Sequence, residues 1–404
     1  MSHLSSRRAS RLLASLLTGI LAGCSLVGQP WRKPPPPPPV PPLAELPKPV
    51  PLLPLPLDTH RFVLDNDTDE VVGIVQVTET SKNDTLPDIA RRFDLGYEEM
   101  ARANPGIDPW LPGVGKQVVV PTRFILPNAP RDGVVINLAA MRIYYFPKRR
   151  PGEKQVVYTH PIGVGRVGWN TPEGTTRIVS REKDPTWRPS AAVRKEHEEN
   201  DDPVPAVVGP GPDNPLGKFK FNLAWPSYLI HGTNKPYGVG LRSSHGCIRL
   251  YPEDIAVMFE AIPIGTPVHV VNQPFVFGMS DGRLYLQAYT VLEDDKRWKT
   301  PTQQKFIATM PARLQKLVAA GKLPVDWSAV SAIAAKPRGV VAAVSGTDTG
   351  MDPALGAAAL VQNRIPPGSN WDGADDAAHD EQEYKQVNDE REPVAAATTP
   401  APAT

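Results

Sequence analysis

The chain has 404 residues, with 44 Lys and Arg against 43 Asp and Glu, a formal net charge of +1. That balance offers a nucleic acid nothing to bind. Two cysteines exclude a disulfide framework, so a hydrophobic core must hold the fold.

Residues 1–23 read as an export signal. Arg7, Arg8 and Arg11 make a basic start, and Leu12 to Leu21 is an apolar stretch too short to span a bilayer with ease. Leu21-Ala22-Gly23-Cys24 then resembles the bacterial lipobox, in which the cysteine is lipidated and becomes the mature N-terminus. The resemblance implies a lipid anchor on a membrane at Cys24, each buried methylene adding about 0.8 kcal/mol. With Ser25 next, it implies the periplasm of a Gram-negative bacterium, anchored to the outer membrane. Loss of residues 1–23 removes three arginines and no acids, leaving 41 basic and 43 acidic side chains. Residues 24–60 form a tether. Fourteen prolines between Pro30 and Pro56 favour polyproline II, roughly 3.1 Å per residue, and a semi-rigid spacer.

A compact module is expected over 71–122. Val75-Gln76-Val77 alternates like a strand. Thr85 and Asp88 make a capping-box start for a helix whose Leu86, Ile89, Ala90 and Phe93 share one face. Tyr97 to Ala103 reads as a second helix, and Gln117 to Pro121 as a closing strand. This order, with Asp84-Thr85-Leu86, Ile89-Ala90, Asn104-Pro105 and the Val-Pro ending, resembles the LysM domain. The usual glycine before Asp-Thr is Asn83 here. The resemblance implies binding to glycan strands rich in N-acetylglucosamine.

Residues 131–272 are expected to be a mainly β domain. Val134 to Leu138, Arg142 to Phe146, Gln155 to Ile162, Thr175 to Ser180, Leu229 to His231 and Pro267 to Asn272 read as strands, with one helix over Pro252 to Ala261. Trp187 to Leu216 is long, polar and proline-rich, a lid or substrate loop rather than a plain connection. In the extension 273–365, Phe275 to Leu292 suggests a hairpin around Asp281-Gly282, and Thr300 to Ala335 is partly helical. The tail 366–404 is acidic, then Ala/Thr/Pro-rich, and reads as disordered.

The chemistry concentrates between His231 and Leu250. With Cys24 assigned to lipid, Cys247 is the one remaining thiol. A thiol serves as nucleophile when a neighbouring base or positive charge helps it ionise. His231 is too far along the chain to meet Cys247 on one helix. A strand ending at His231 and a chain that loops back could bring them together. Gly246 would let backbone N–H groups crowd a developing oxyanion.

His231-Gly232-Thr233 followed by Ser244-His245-Gly246-Cys247-Ile248-Arg249 resembles the L,D-transpeptidase (YkuD-like) catalytic domain. The resemblance implies a β-sandwich-like catalytic fold and a cysteine acyltransferase acting on peptidoglycan stem peptides. Cys247 would be nucleophile and His231 base, with the Gly232 carbonyl orienting the imidazole. His245 would tune the thiolate or shape the acyl pocket. Ser244, His245, Gly246 and Cys247 would present donors to the oxyanion. Arg249 would hold a stem carboxylate or pair structurally, and Tyr228, Asn234 and Gly240 would line the groove. The thiolate would attack the third residue of a tetrapeptide stem and expel D-alanine. The thioester would then pass to a second stem, to a lysine of an envelope lipoprotein, or to water, the last making an L,D-carboxypeptidase. No cofactor and no metal are implied. Two other classes stay open: zinc held by His231, His245 and Cys247, and a non-catalytic peptidoglycan-binding lipoprotein.

Overall fold

The computed structural model describes residues 60–82 and 84–364. The export signal, Cys24, nearly all of the tether, Asn83 and the tail lie outside the described residues. No helix among the described residues is long and apolar enough to cross a membrane.

The chain opens with β1 (Arg61–Val63), β2 (Val71–Gly73) and β3 (Gln76–Glu79). Helices α1 (Leu86–Arg92) and α2 (Tyr97–Ala103) follow, then β4 (Gln117–Val120) and β5 (Arg123–Ile125). The capping box forms: the Thr85 hydroxyl accepts from the Asp88 N–H, and the Asp88 carboxylate accepts from the Thr85 N–H. β3 and β4 pair antiparallel, and β2 pairs with β5. β5 lies past the end of the module expected over 71–122.

The central part holds β6 (Gly133–Asn137), β7 (Arg142–Phe146), β8 (Val156–Pro161), β9 (Val164–Gly165) and the ten-residue β10 (Gly174–Lys183). Then come α3 (Ala191–Glu199), β11 (Phe219–Leu223), β12 (Leu229–His231), β13 (Arg242–Ser244) and β14 (Ile248–Arg249). Helix α4 (Pro252–Ala261) and β15 (Pro267–Val271) complete it. Nine strands make one sheet in the order β1-β8-β7-β6-β15-β10-β11-β12-β14. The first half of β10 pairs with β15 and its second half with β11, with a register irregularity between Ile178 and Ser180. One long strand thus joins the two halves of a curled sheet.

Both faces of the sheet are buried, which explains unbroken apolar runs such as Val134-Val135-Ile136. Val134, Ile136, Ile143 and Tyr145 pack with Ile255, Met258 and Phe259 of α4. The alternate residues Val135, Tyr144, Phe146 and Val157 pack with Leu86, Ile89, Phe93 and Met100 of the preceding module. The α1–α2 layer is therefore the cover of the sheet's second face.

The extension builds its own core. β16 (Phe275–Ser280) and β17 (Arg283–Ala288) form the expected hairpin, with Asp281 and Gly282 at positive φ. Helices α5 (Gln303–Thr309), α6 (Ala312–Ala319) and α7 (Trp327–Ala335) cover it through Phe306, Met310, Leu314 and Val330. β18 (Ala342–Ala343) joins β17, and α8 (Met351–Gly356) leads to β19 (Ala359–Leu360). β19 returns to pair parallel with β3. The class is as expected: a mainly β catalytic domain, a small α/β module and a partly helical extension.

Candidate active site

Strands β12 and β14 run parallel, with Ile230 opposite Ile248 and His231 opposite Arg249. Side chains alternate along strands, so Cys247, two residues before Arg249, shares the face of His231 and Arg249. Fifteen residues of intervening chain thus return the cysteine to the start of the strand that pairs with the histidine's. The half-buried Cys247 sulfur lies 3.7 Å from the Ser227 carbonyl.

His231 is buried, and its Nδ1–H donates to the Gly232 carbonyl at 2.6 Å. This bond fixes the tautomer and leaves Nε2 with its lone pair. Burial first, and the positive charge of Arg249 second, push His231 down to about 3. Burial also pushes the Cys247 thiol up, with the Leu229 backbone and Arg249 pulling the other way. Imidazole and thiol therefore rest as a neutral pair. Among the described residues no carboxylate pairs with Arg249. Its Nη1 is 3.4 Å from Ser243 Oγ, and its buried Nε has no hydrogen-bond partner.

The turn before the cysteine is built by Ser244. Its hydroxyl accepts from the Gly246 N–H at 3.1 Å and donates to the Cys247 carbonyl at 2.6 Å. The Gly246 N–H is thus engaged within the turn by the Ser244 hydroxyl. Gly246 sits at φ 98°, where a Cβ would meet Tyr228 Cε1 at 2.9 Å. Tyr228 therefore flanks the turn, and its hydroxyl donates to the Asn170 carbonyl. Thr171, unnoticed in the sequence, donates to the Gly246 carbonyl at 2.8 Å and accepts from the Gly165 N–H.

His245 faces the polar segment 187–216. That segment contains α3, and Glu196 of α3 bridges the His245 ring at 2.9 Å and the guanidinium of Arg166. Burial and Arg166 push His245 down to about 4. Asn214 closes the base of the segment, donating to the Pro185 and Gly209 carbonyls. Asn234 is half-buried. Gly240 does not line the groove. It is buried against α2, where the Tyr97 and Glu98 N–H groups donate to the Val239 and Gly240 carbonyls. Its φ of 83° and its contact with Gly96 leave no room for a side chain. The zinc reading gains no geometric support, because among the described residues His231, His245 and Cys247 do not form a group of converging ligand atoms. The one His/Asp grouping with converging ligand atoms among the described residues is Asp94, His160 and Asp254, beneath α4.

Residues 131–270 match the L,D-transpeptidase catalytic domain, and residues 80–121 match the LysM domain. "Probable L,D-transpeptidase YbiS" of Escherichia coli K12 is 39% identical over 235 residues, covering 57% of this chain and 75% of that one. "Probable L,D-transpeptidase ErfK/SrfK" of Salmonella typhimurium is 37% identical over 260 residues, covering 61% and 82%. A solved L,D-transpeptidase from Mycobacterium smegmatis aligns at TM-score 0.27 and 18% identity, covering 39% and 64%. The matched span contains the β12–β14 pair and the turn that carries Cys247, and the chain belongs to the L,D-transpeptidase family.

Proposed function

We propose that the protein is a cysteine-dependent L,D-transpeptidase acting on peptidoglycan, with Cys247 as nucleophile and His231 as base. The observation that supports this reading is the parallel register that sets His231 opposite Arg249, two residues past Cys247, with His231 Nδ1 engaged by the Gly232 carbonyl. Nε2 takes the thiol proton as sulfur attacks the carbonyl of the third residue of a tetrapeptide stem. The carbon–nitrogen bond breaks, and the imidazolium returns the proton to the departing D-alanine amine. An amine of a second stem or of an envelope lipoprotein lysine then resolves the thioester. Arg249 stays beside the sulfur as counter-charge to the thiolate. The LysM domain supports glycan strands as the second partner. The lipobox-like Cys24 supports lipid anchoring in the periplasm, and the intact mass of membrane-extracted protein tests it.

The test is mass spectrometry of muropeptides incubated with purified protein. Wild type should release D-alanine and form dimers, and folded Cys247→Ala should do neither. Tripeptides without dimers would favour an L,D-carboxypeptidase. Product formation by folded Cys247→Ala would end the cysteine mechanism, whereas wall binding by wild type without any product would favour a non-catalytic peptidoglycan-binding lipoprotein.

A further inference from the structure

A carboxylate is hydrogen-bonded to the ring of His245, the residue two positions before Cys247 in the chain. It belongs to Glu196, whose Oε1 meets Arg166 Nη2 and whose Oε2 is 2.9 Å from His245 Nε2. Arg166 Nη2 and His245 Nε2 are 3.2 Å apart, so the two groups form one cradle. Trp169 stands edge-on to the His245 ring, with centroids 4.8 Å apart, and fixes its plane. Strand pairing builds this cradle: β9 lies parallel to β13, setting Ser244 opposite Gly165, and the Arg166 N–H donates to the Ser244 carbonyl. A guanidinium and a ring nitrogen converging on one point are the groups that recognise a carboxylate.

The occupant is held lightly. Helix α3 buries only Val193, and the rest of its nine residues are half-buried or exposed. Its other inward ties are the Glu196 carboxylate and the His197 ring, tilted against His245 with centroids 6.0 Å apart. An internal acid on a polar, thinly anchored helix has the character of a placeholder.

We propose that Arg166 and His245 form the subsite for the C-terminal carboxylate of the donor stem peptide, and that Glu196 occupies it until a stem displaces it. This rests on the reading that Cys247 expels the terminal residue of a stem. The α-carboxylate of that residue is two bonds from the nitrogen that leaves. A seat beside the cysteine therefore orients the scissile bond. The carboxylate keeps its charge and its bonds throughout: the sulfur–carbon bond forms, the carbon–nitrogen bond breaks, and the thiol proton ends on the departing amine.

The experiment compares two synthetic tetrapeptide donors with the full chain, one with a free C-terminal carboxylate and one with a C-terminal amide. Release of D-alanine or D-alaninamide gives kcat and KM for each. Wild type should prefer the acid. Arg166→Gln should cut the acid-to-amide ratio of kcat/KM by about tenfold, as expected for a lost charge-assisted pair, and Arg166→Lys should restore part of it. Glu196→Gln should lower KM for the acid donor, because the competing charge is gone. This second variant carries the test if Arg166→Gln does not fold. An unchanged ratio in folded Arg166→Gln, or a raised KM in Glu196→Gln, would overturn the subsite. Wild type that turns over both donors alike defeats the subsite and leaves the transpeptidase reading standing. Wild type that turns over neither defeats both.

Discussion

At neutral pH His231 carries no charge, since burial and Arg249 hold it near 3, while burial lifts the Cys247 thiol. Two neutral groups cannot begin as a thiolate–imidazolium pair, so the proton must move as the carbonyl is attacked. Iodoacetamide, which demands thiolate, should therefore label Cys247 slowly at pH 6 to 7, with a rate that climbs only above the ordinary thiol range. A labelling plateau reaching down to pH 5 would indicate a preformed ion pair and refute the neutral pair. The two residues proposed to react were legible because the Ser-His-Gly-Cys string and its leading histidine carry them. Thr171 and Arg166 were not. Arg166 meets His245 from 79 positions away, through a two-stranded contact of which a glycine-dense stretch gives no warning. The engaged Gly246 N–H was equally hidden, because sequence cannot say which acceptor a turn N–H finds.

At the scale of elements, α4 follows the catalytic turn directly, and the α1–α2 layer grips its start. Arg91 pairs with Glu253 through both nitrogens at 2.8 Å, and the Tyr251 hydroxyl donates to the Leu95 carbonyl. His160 Nδ1 of β8 lies 3.1 Å from Asp94 and 3.2 Å from Asp254, joining α1's exit, the sheet and α4. Burial alone would push His160 down, but Asp254 and Asp94 outweigh it and hold it at about 10. Asp254 is pushed up by burial and by Asp94. A histidine raised from 6.5 contributes stability that is complete below 6.5 and is lost as pH rises through its folded value. The raised Asp254 acts in the same direction. Urea unfolding should show stability falling between pH 7 and 10, and the double variant His160→Gln, Asp254→Asn should flatten that window. NMR should show an imidazole titrating near pH 10 in wild type and none in the double variant. An imidazole titrating near 6.5 in wild type would disprove the brace. Sequence periodicity revealed α4 and its apolar face. The three-way brace was invisible, because it joins three segments that share no spacing. Helix α3 escaped notice for a different reason: its single buried residue leaves no periodic signal.

At the scale of the whole molecule, the two family matches meet in one shared core. The LysM pattern was readable from its caps and its 3.6 period. The apolar runs in β6 and β7 signalled a sheet covered on both faces, without naming the cover. Val135, Tyr144, Phe146 and Val157 are all buried under α1 and α2. Arg142 of β7 is fully buried, with its Nε 3.2 Å from Glu99 of α2 and its Nη2 donating to the Asp94 carbonyl. Removing residues 71–122 would expose those four side chains, at about 1.5–3 kcal/mol each. Arg142, on the same face, would lose Glu99 and Asp94 but would be returned to water, so it adds little to that cost. The sum reaches the whole stability of an ordinary domain, about 5–15 kcal/mol. The deletion should therefore give a protein without a cooperative thermal transition and without acylation of Cys247 by a carbapenem. Separable modules would instead leave a folded catalytic domain that still acylates, and that outcome would refute the shared core. A gentler variant isolates the cause. Arg142→Met keeps the module, replaces the buried cation with an apolar chain of similar length, and leaves the Glu99 carboxylate without its partner. It should lower the midpoint of unfolding while leaving a single transition, because the apolar layer remains and only the ion pair is gone. Two separate transitions in Arg142→Met would mean that this one arginine, rather than the packed layer, makes the molecule cooperative.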